Sequence, residues 1–153
     1  MKTKNTGKPF EAAIIQQCAL YEKAGIAIIR KSDPPTRVVR IKGKPQIIYQ
    51  RNPWLDFVGC YVHSGRMIQF ECKHVDKPRL PIGIKTGHGV SLKQIKSMQI
   101  WNQANADIFL VWYDGKDLFV LNAGEVVKMY SEGIKSLEKS MFVKVNGYNF
   151  LQK

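Results

Sequence analysis

The sequence predicts a single α+β domain over residues 1–153, with a mixed central sheet flanked by helices. Three observations predict it. Apolar residues recur at helical spacing near the N-terminus and again after residue 91, strand-like runs fill the intervals, and the chain is long enough to bury one core. Hydrophobic residues make up 44% and the aromatics are dispersed, which excludes a disordered or fibrous class. No apolar run reaches the ~18 residues that cross a bilayer, so no membrane partner is expected.

The first element is a helix from about Pro9 to Ala24. Pro9 suits its first turn, Gly25 suits its stop, and Phe10, Ile14, Cys18 and Tyr21 fall on one face. Ile26 to Arg30 reads as a short strand broken by Asp33-Pro34-Pro35. Arg37 to Ile41 and Gln46 to Gln50 read as two strands whose turn is marked by Gly43 and Pro45, a stalk-like projection at about 37–51. Leu55 to Val62 and Arg66 to Lys73 meet at Ser64-Gly65, and a Pro- and Gly-rich loop follows from Lys77 to Gly89. Ser91 to about Asn105 is helical, with Leu92, Ile95, Met98 and Trp101 inward. Ile108 to Tyr113 and Leu118 to Leu121 form a hairpin around Asp114-Gly115. A short helix from Ala123 and a strand pair, Phe142 to Val145 with Tyr148 to Leu151, close the chain.

Charge gives the first functional clue. Lys and Arg total 24 against 12 acids, and the excess is uneven. Residues 1–51 carry 11 basic and 3 acidic side chains, residues 52–100 carry 7 and 3, and residues 101–153 balance at 6 and 6. A field concentrated in the first two-thirds suits a polyanion, since each neutralised phosphate releases counterions. Without a basic amphipathic helix, nucleic acid is favoured over an anionic membrane. Met1 to Lys8 lacks the apolar segment of a secretory signal. Cys18, Cys60 and Cys72 are odd in number and lack metal-ligand spacing. Reduced thiols and a cytoplasmic location are therefore expected.

The stretch from Asp56 to Lys73 carries the chemistry. A hairpin turning at Ser64-Gly65 pairs residues whose numbers sum to 129, which sets Asp56 opposite Lys73 with Glu71 on the diagonal. Glu71 and Lys73, two apart, share a face. Leu55, Phe57, Tyr61, Ile68, Phe70 and Cys72 then form the core face. Asp56 and Glu71 supply the hard oxygens that Mg²⁺ prefers, with Mn²⁺ as a substitute. Such an ion polarises a phosphate and activates water, and Lys73 can orient that water and stabilise developing charge. A cross-strand Asp–Lys pair on an ordinary surface is the plain alternative, and Glu-x-Lys alone is a weak motif.

Asp56-Phe57-x-Gly59, then Gly65, then Ile68-Gln69-Phe70-Glu71-Cys72-Lys73 resembles the RecU-type Holliday junction resolvases of the PD-(D/E)xK nuclease superfamily. Phe10-Glu11, Ile14, Tyr21 and Ile26-Ala27-Ile28 are similar to that family's first helix and strand, and Gln94 matches a glutamine usual in related nucleases. The resemblance covers roughly residues 7 to 122. It implies a restriction-endonuclease-like core and a Mg²⁺-dependent homodimer that nicks four-way DNA junctions in recombination and repair. It further implies that Glu11 joins Asp56 and Glu71 as metal ligands, with Lys73 and Gln94 in the catalytic set. Two departures stand out: Pro53-Trp54-Leu55 replace hydroxyl residues before Asp56, and the 37–51 segment is short.

Glu11 also suits a helix first turn through the dipole, and Gln94 stands at capping-box distance from Ser91. Arg30, Lys31, Arg37, Arg40, Lys42, Lys44 and Arg51 are candidate DNA-backbone contacts as a group. His63 and His88 fall in turns too far apart for a zinc site, and Trp54, Trp101 and Trp112 read as core or dimer contacts. Two other functions remain: a virus-type repair nuclease (VRR-NUC) cutting flaps or other branched DNA, and a non-catalytic nucleic-acid-binding module.

Overall fold

The structure is a computed structural model that describes residues 7–32, 36–49 and 54–151. Helix α1 spans Gly7–Lys23, two residues longer at its start than Pro9 suggested, and buries Phe10, Ile14, Cys18 and Tyr21. It ends in a Schellman arrangement. The Gly25 amide donates to the Glu22 carbonyl and the Ile26 amide to the Tyr21 carbonyl, with Gly25 at φ 70°.

Strand β1 (Ala27–Lys31) follows, and β2 (Thr36–Ile41) and β3 (Lys44–Tyr49) form a separate two-stranded ribbon. The predicted break at Asp33-Pro34-Pro35 lies outside the described residues. The ribbon turns at Lys42-Gly43, both with positive φ (53° and 74°), so Pro45 lies in β3 opposite Arg40 rather than at the tip. Val38, Ile41 and Ile47 are exposed. Val38 pairs with Ile47 on one face, whereas Val39 and Ile41 point to the other, so the apolar residues do not make a single sticky side.

Strands β4 (Phe57–Tyr61) and β5 (Met67–His74) form the expected hairpin, but their partner numbers sum to 127 (Phe57 with Phe70, Val58 with Gln69). The four-residue loop Val62–Gly65 is closed by the Tyr61 amide bonding to the Arg66 carbonyl and by Gly65 at φ 67°. A slip of two residues leaves every side chain on its face while changing its partner. Asp56 consequently sits opposite Glu71, not Lys73.

The crossover from β5 contains more structure than the loop predicted for 77–89. It carries β6 (Arg79–Ile84), β7 (Val90–Ser91) and helix α2 (Leu92–Trp101), which stops short of the expected Asn105. Pro81 is tolerated in β6 because the Ile82 amide, not its own nitrogen, bonds to Lys135 on the β10 side. Strands β8 (Ala106–Tyr113) and β9 (Leu118–Asn122), helix α3 (Ala123–Ser131), β10 (Ser136–Glu138) and β11 (Val143–Val145) complete the chain. The predicted C-terminal strand pair does not form: β11 pairs with β9, and Phe150 instead drops fully buried against Phe70 and Phe109. The Tyr21 hydroxyl anchors this tail by bonding to Asn149 and Leu151.

The central sheet runs β1-β4-β5-β8-β9-β11, with β5 and β8 parallel and its other pairs antiparallel. The order helix, antiparallel strands, helix, strand expected of the restriction-endonuclease-like core is present. Each sheet face carries its own core. Phe57, Ile68, Phe70, Phe109 and Val111 pack with α1, while Leu110, Trp112, Ile95, Met98 and Val126 pack on the face of α2 and α3. Leu55 belongs to the second core, not to the Phe57 side, because the chain bends before β4 and its amide is held by the Gln69 side chain.

Gly59 pairs with Ile29 where β1 and β4 approach closely, and a Cβ there would lie 1.9 Å from the Ile28 carbonyl oxygen. Backbone cannot give way as a side chain does. Gly59→Ala should therefore cost about 3 kcal/mol and lower the melting temperature by roughly 6–12 °C, as thermal unfolding monitored by circular dichroism would record.

Candidate active site

The candidate site lies at the carboxyl end of β5, where the start of β4 and both N-terminal ends of α1 and α2 meet. Glu71 lies on the central strand with 3% exposure, a depth carboxylates tolerate when hydrogen-bonded. Its Oε1 accepts the Asp56 amide at 3.2 Å and its Oε2 accepts the Gln94 side-chain amide at 3.0 Å. Asp56 Oδ2 in turn accepts the Cys72 amide at 3.2 Å, and the Asp56 carbonyl accepts the Ser32 amide at 2.7 Å. The two carboxylates are thus locked across the hairpin by backbone bonds.

Gln94 does two things at once. Its Oε1 accepts the Ser91 amide at 2.9 Å while the Ser91 hydroxyl accepts the Gln94 amide, a complete capping box. That commits its NH₂ to Glu71. Capping and site contact, two separate readings of this residue in the sequence, coexist. The first turn of α2 holds no acid, so the positive end of its dipole is left to the carboxylates.

Burial pushes the Glu71 carboxyl well above its ordinary 4.5, the Asp56 charge adds to this, and Lys73 partly offsets it. Lys73 is half-buried, shares the face of Glu71, and forms no ion pair among the described residues. Cys72 points the other way, into the α1 side, where burial first and Asp56 second push its thiol up. All three cysteines are free thiols.

Glu11 lies in the second turn of α1, not the first, because the helix starts at Gly7. Its Oε1 is 2.7 Å from the Lys31 ammonium. Glu11, Lys31 and Asp56 line one cavity of about 290 Å³ together with Lys8, Cys72 and His74. Among the described residues no three His, Cys, Asp or Glu side chains converge closely enough to enclose a metal ion by themselves. Asp56 and Glu71 offer adjacent hard oxygens that could hold a cation, whose charge would relieve their mutual repulsion, and Glu11 faces Asp56 across the cavity.

Of the proposed DNA contacts, Arg30 is engaged by Glu22 through two hydrogen bonds of 2.9 and 3.1 Å, and Lys31 by Glu11. Arg40, Lys42 and Lys44 are exposed on the ribbon. Arg51 and the Arg37 side chain lie outside the described residues. Trp112 is fully buried and bonds to the Val75 carbonyl, whereas Trp54 and Trp101 stack on each other at 4.6 Å between centroids, Trp54 remaining partly exposed. Lys8 and His74 were missed in the sequence. Lys8 precedes Glu11 by three, a helical neighbour, and His74 directly follows Lys73, so both could have been found from spacing.

The chain belongs to the RecU family, recombination protein U, whose pattern matches residues 5–151. The Holliday junction resolvase RecU of Streptococcus thermophilus is 25% identical, covering 94% of this chain and 75% of its own. Those of Streptococcus mutans and Streptococcus uberis are each 27% identical, covering 94% and 97% of this chain and 75% of theirs. Among solved structures, the Archaeoglobus fulgidus Holliday junction resolvase Hjc superposes with a TM-score of 0.48 at 12% identity, over 86% of this chain and 90% of that one. Among the described residues no helix is long and apolar enough to cross a membrane.

The raised Glu71 carboxyl has a stability consequence with a definite sign. An acid whose folded value exceeds its unfolded value binds more protons when folded, so its contribution is complete below pH 4.5 and is lost as pH rises through the folded value. In EDTA, Asp56→Asn removes the second cause of the shift. Denaturant unfolding should therefore show stability falling less steeply above pH 4.5 in the variant than in the unmodified chain.

Proposed function

We propose that this protein is a structure-specific endonuclease that resolves four-way DNA junctions in recombination and repair, acting in the cytoplasm as a metal-dependent homodimer. The observation that carries the proposal is the buried Glu71 beside the half-buried Asp56, with Lys73 on the same face, in a chain of the RecU family. Asp56 and Glu71 would hold Mg²⁺, or Mn²⁺ in its place, as two carboxylates with water completing the shell. When bound, the ion supplies a Lewis acid for the scissile phosphate and lowers the pKa of a water.

The remaining roles belong to the chain itself. The Lys73 ammonium orients the attacking water and stabilises charge building on the phosphoryl oxygens. Gln94 is a positioning residue that fixes the Glu71 carboxylate from α2. Glu11, braced by Lys31, forms the opposite wall of the cavity shared with Asp56. The exposed ribbon supplies Arg40, Lys42 and Lys44 for backbone contact beyond the site.

The deciding experiment compares cleavage of a four-way junction, a flap and a plain duplex, with Mg²⁺ and with EDTA. Junction nicking that requires the cation is expected. Preference for the flap would favour the VRR-NUC-like reading, and no nicking of any substrate would favour a binding module. Lys73→Ala should reduce nicking by about 10²–10³-fold while junction binding, read by gel shift, persists; loss of both in a folded variant would make Lys73 a docking residue.

Symmetric incision needs two sites related by a two-fold axis. Sedimentation should find two chains in the free protein and two per junction for Asp56→Asn. A monomer at micromolar concentration in both states would reject the dimer.

A further inference from the structure

Residues 77–106 contain Lys77, Arg79, Lys85, Lys93 and Lys96 and not one Asp or Glu. Arg79 is engaged by Glu138 and Ser136. Lys85 just after β6 and Lys93 and Lys96 from α2 instead line one concavity of about 310 Å³ with Ile84, Ser91 and Leu92. All three lysines are exposed, and none forms an ion pair among the described residues. Arg30, Lys31, Arg79, Lys139 and Lys144 each face an acid, whereas no acid among the described residues is paired with any cation of this hollow.

Three exposed ammonium groups around one hollow add to a local positive potential, which favours an anion there. Their position is as telling as their charge. Gln94, whose side chain bonds to Glu71, lies between Lys93 and Lys96 in the sequence of α2, so the same helix carries the hollow and braces the carboxylate pair. Ordinary solvated lysines are the competing account, and they require neither the shared hollow nor thirty residues free of acid.

We infer that Lys85, Lys93 and Lys96 form a second DNA-backbone contact, separate from the ribbon, which holds the phosphates of the duplex arm running past α2 from the cleavage site. The inference rests on the resolvase reading for the identity of the DNA but not for the contact itself. It supplies what the carboxylate pair lacks, a cationic surface on the α2 side that offsets repulsion between the DNA and the two acids.

The test uses the full chain with Asp56→Asn to prevent cleavage, and measures binding of a fluorescent four-way junction and a plain duplex by anisotropy from low to high salt. Lys93→Ser/Lys96→Ser should weaken binding to both and make the slope of log K against log salt shallower by roughly 1.8, since each phosphate contact on B-DNA accounts for about 0.9. Lys23→Ser is the control for simple loss of charge, being roughly 22 Å along α1 from Lys8 at the site; its slope should move by less than about half a unit. An unchanged slope in the double variant, or an equal change in Lys23→Ser, overturns the inference. A chain that binds junction no better than duplex, and nicks neither with Asp56 restored, defeats the resolvase reading alone, because the duplex slopes still decide the lysine hollow. Absence of DNA binding by the unmodified chain overturns both.

Discussion

Glu71 sits at 3% exposure with the Asp56 carboxylate facing it from the neighbouring strand, an arrangement that costs free energy twice, through lost hydration and like-charge repulsion. Much of the surrounding structure offsets that cost. Backbone amides of Asp56 and Cys72 each donate into the pair, and the Gln94 side chain closes the remaining side. Two are backbone amides, one just before β4 and one in β5, and the third is held by a helix cap, so the donors are fixed by the chain and not by flexible side chains alone.

Such a site needs a rigid setting, and the two cores provide it. β5 is covered on both faces: Ile68 and Phe70 stack into the α1 core, while Gln69 and Glu71 face the α2 side and are tied by hydrogen bonds instead of apolar contact. The sheet is further pinned at its far end, where the Tyr61 hydroxyl bonds to the buried Asp107 carboxylate and Arg66 reaches the Ala106 carbonyl. Polar groups inside a sheet are costly only when unpaired, and no described buried side-chain N or O lacks a partner. Fixing β4, β5 and β8 at both ends restricts the shear that would separate Asp56 from Glu71.

The sequence was most legible where local chemistry and packing agree. Phe10, Ile14, Cys18, Tyr21 and Gly25 specify α1 and its stop without help from the rest of the chain. The acidic pair and its lysine could be placed on one face because alternation assigns faces regardless of register, and a two-residue error in the β4–β5 pairing preserved them, whereas Gln94 stood out only through the family resemblance and its spacing from Ser91. What failed depended on distant partners. Leu80 and Ile82 make a strand because β10 lies beside them, with Leu80 paired to the distant Leu137, and Phe150 leaves strand geometry because a pocket among Phe70, Phe109 and Tyr21 receives it. The exact partner of Asp56 was illegible for a smaller reason: the Val62–Gly65 loop closes on Tyr61, a choice set by Gly65's left-handed backbone.

The double bond of Gln94 narrows what that position can be. In an ordinary capping box, glutamate and glutamine are interchangeable, because only a side-chain oxygen is needed to receive the cap amide. Here the same side chain must also present a donor to Glu71. Glutamate could still cap α2, but it would bring a third acid against two that already repel, and methionine would keep the volume while leaving Ser91 and Glu71 both short of a partner. An amide alone satisfies both neighbours, so the substitution most neutral for the helix would be among the least tolerated at the site.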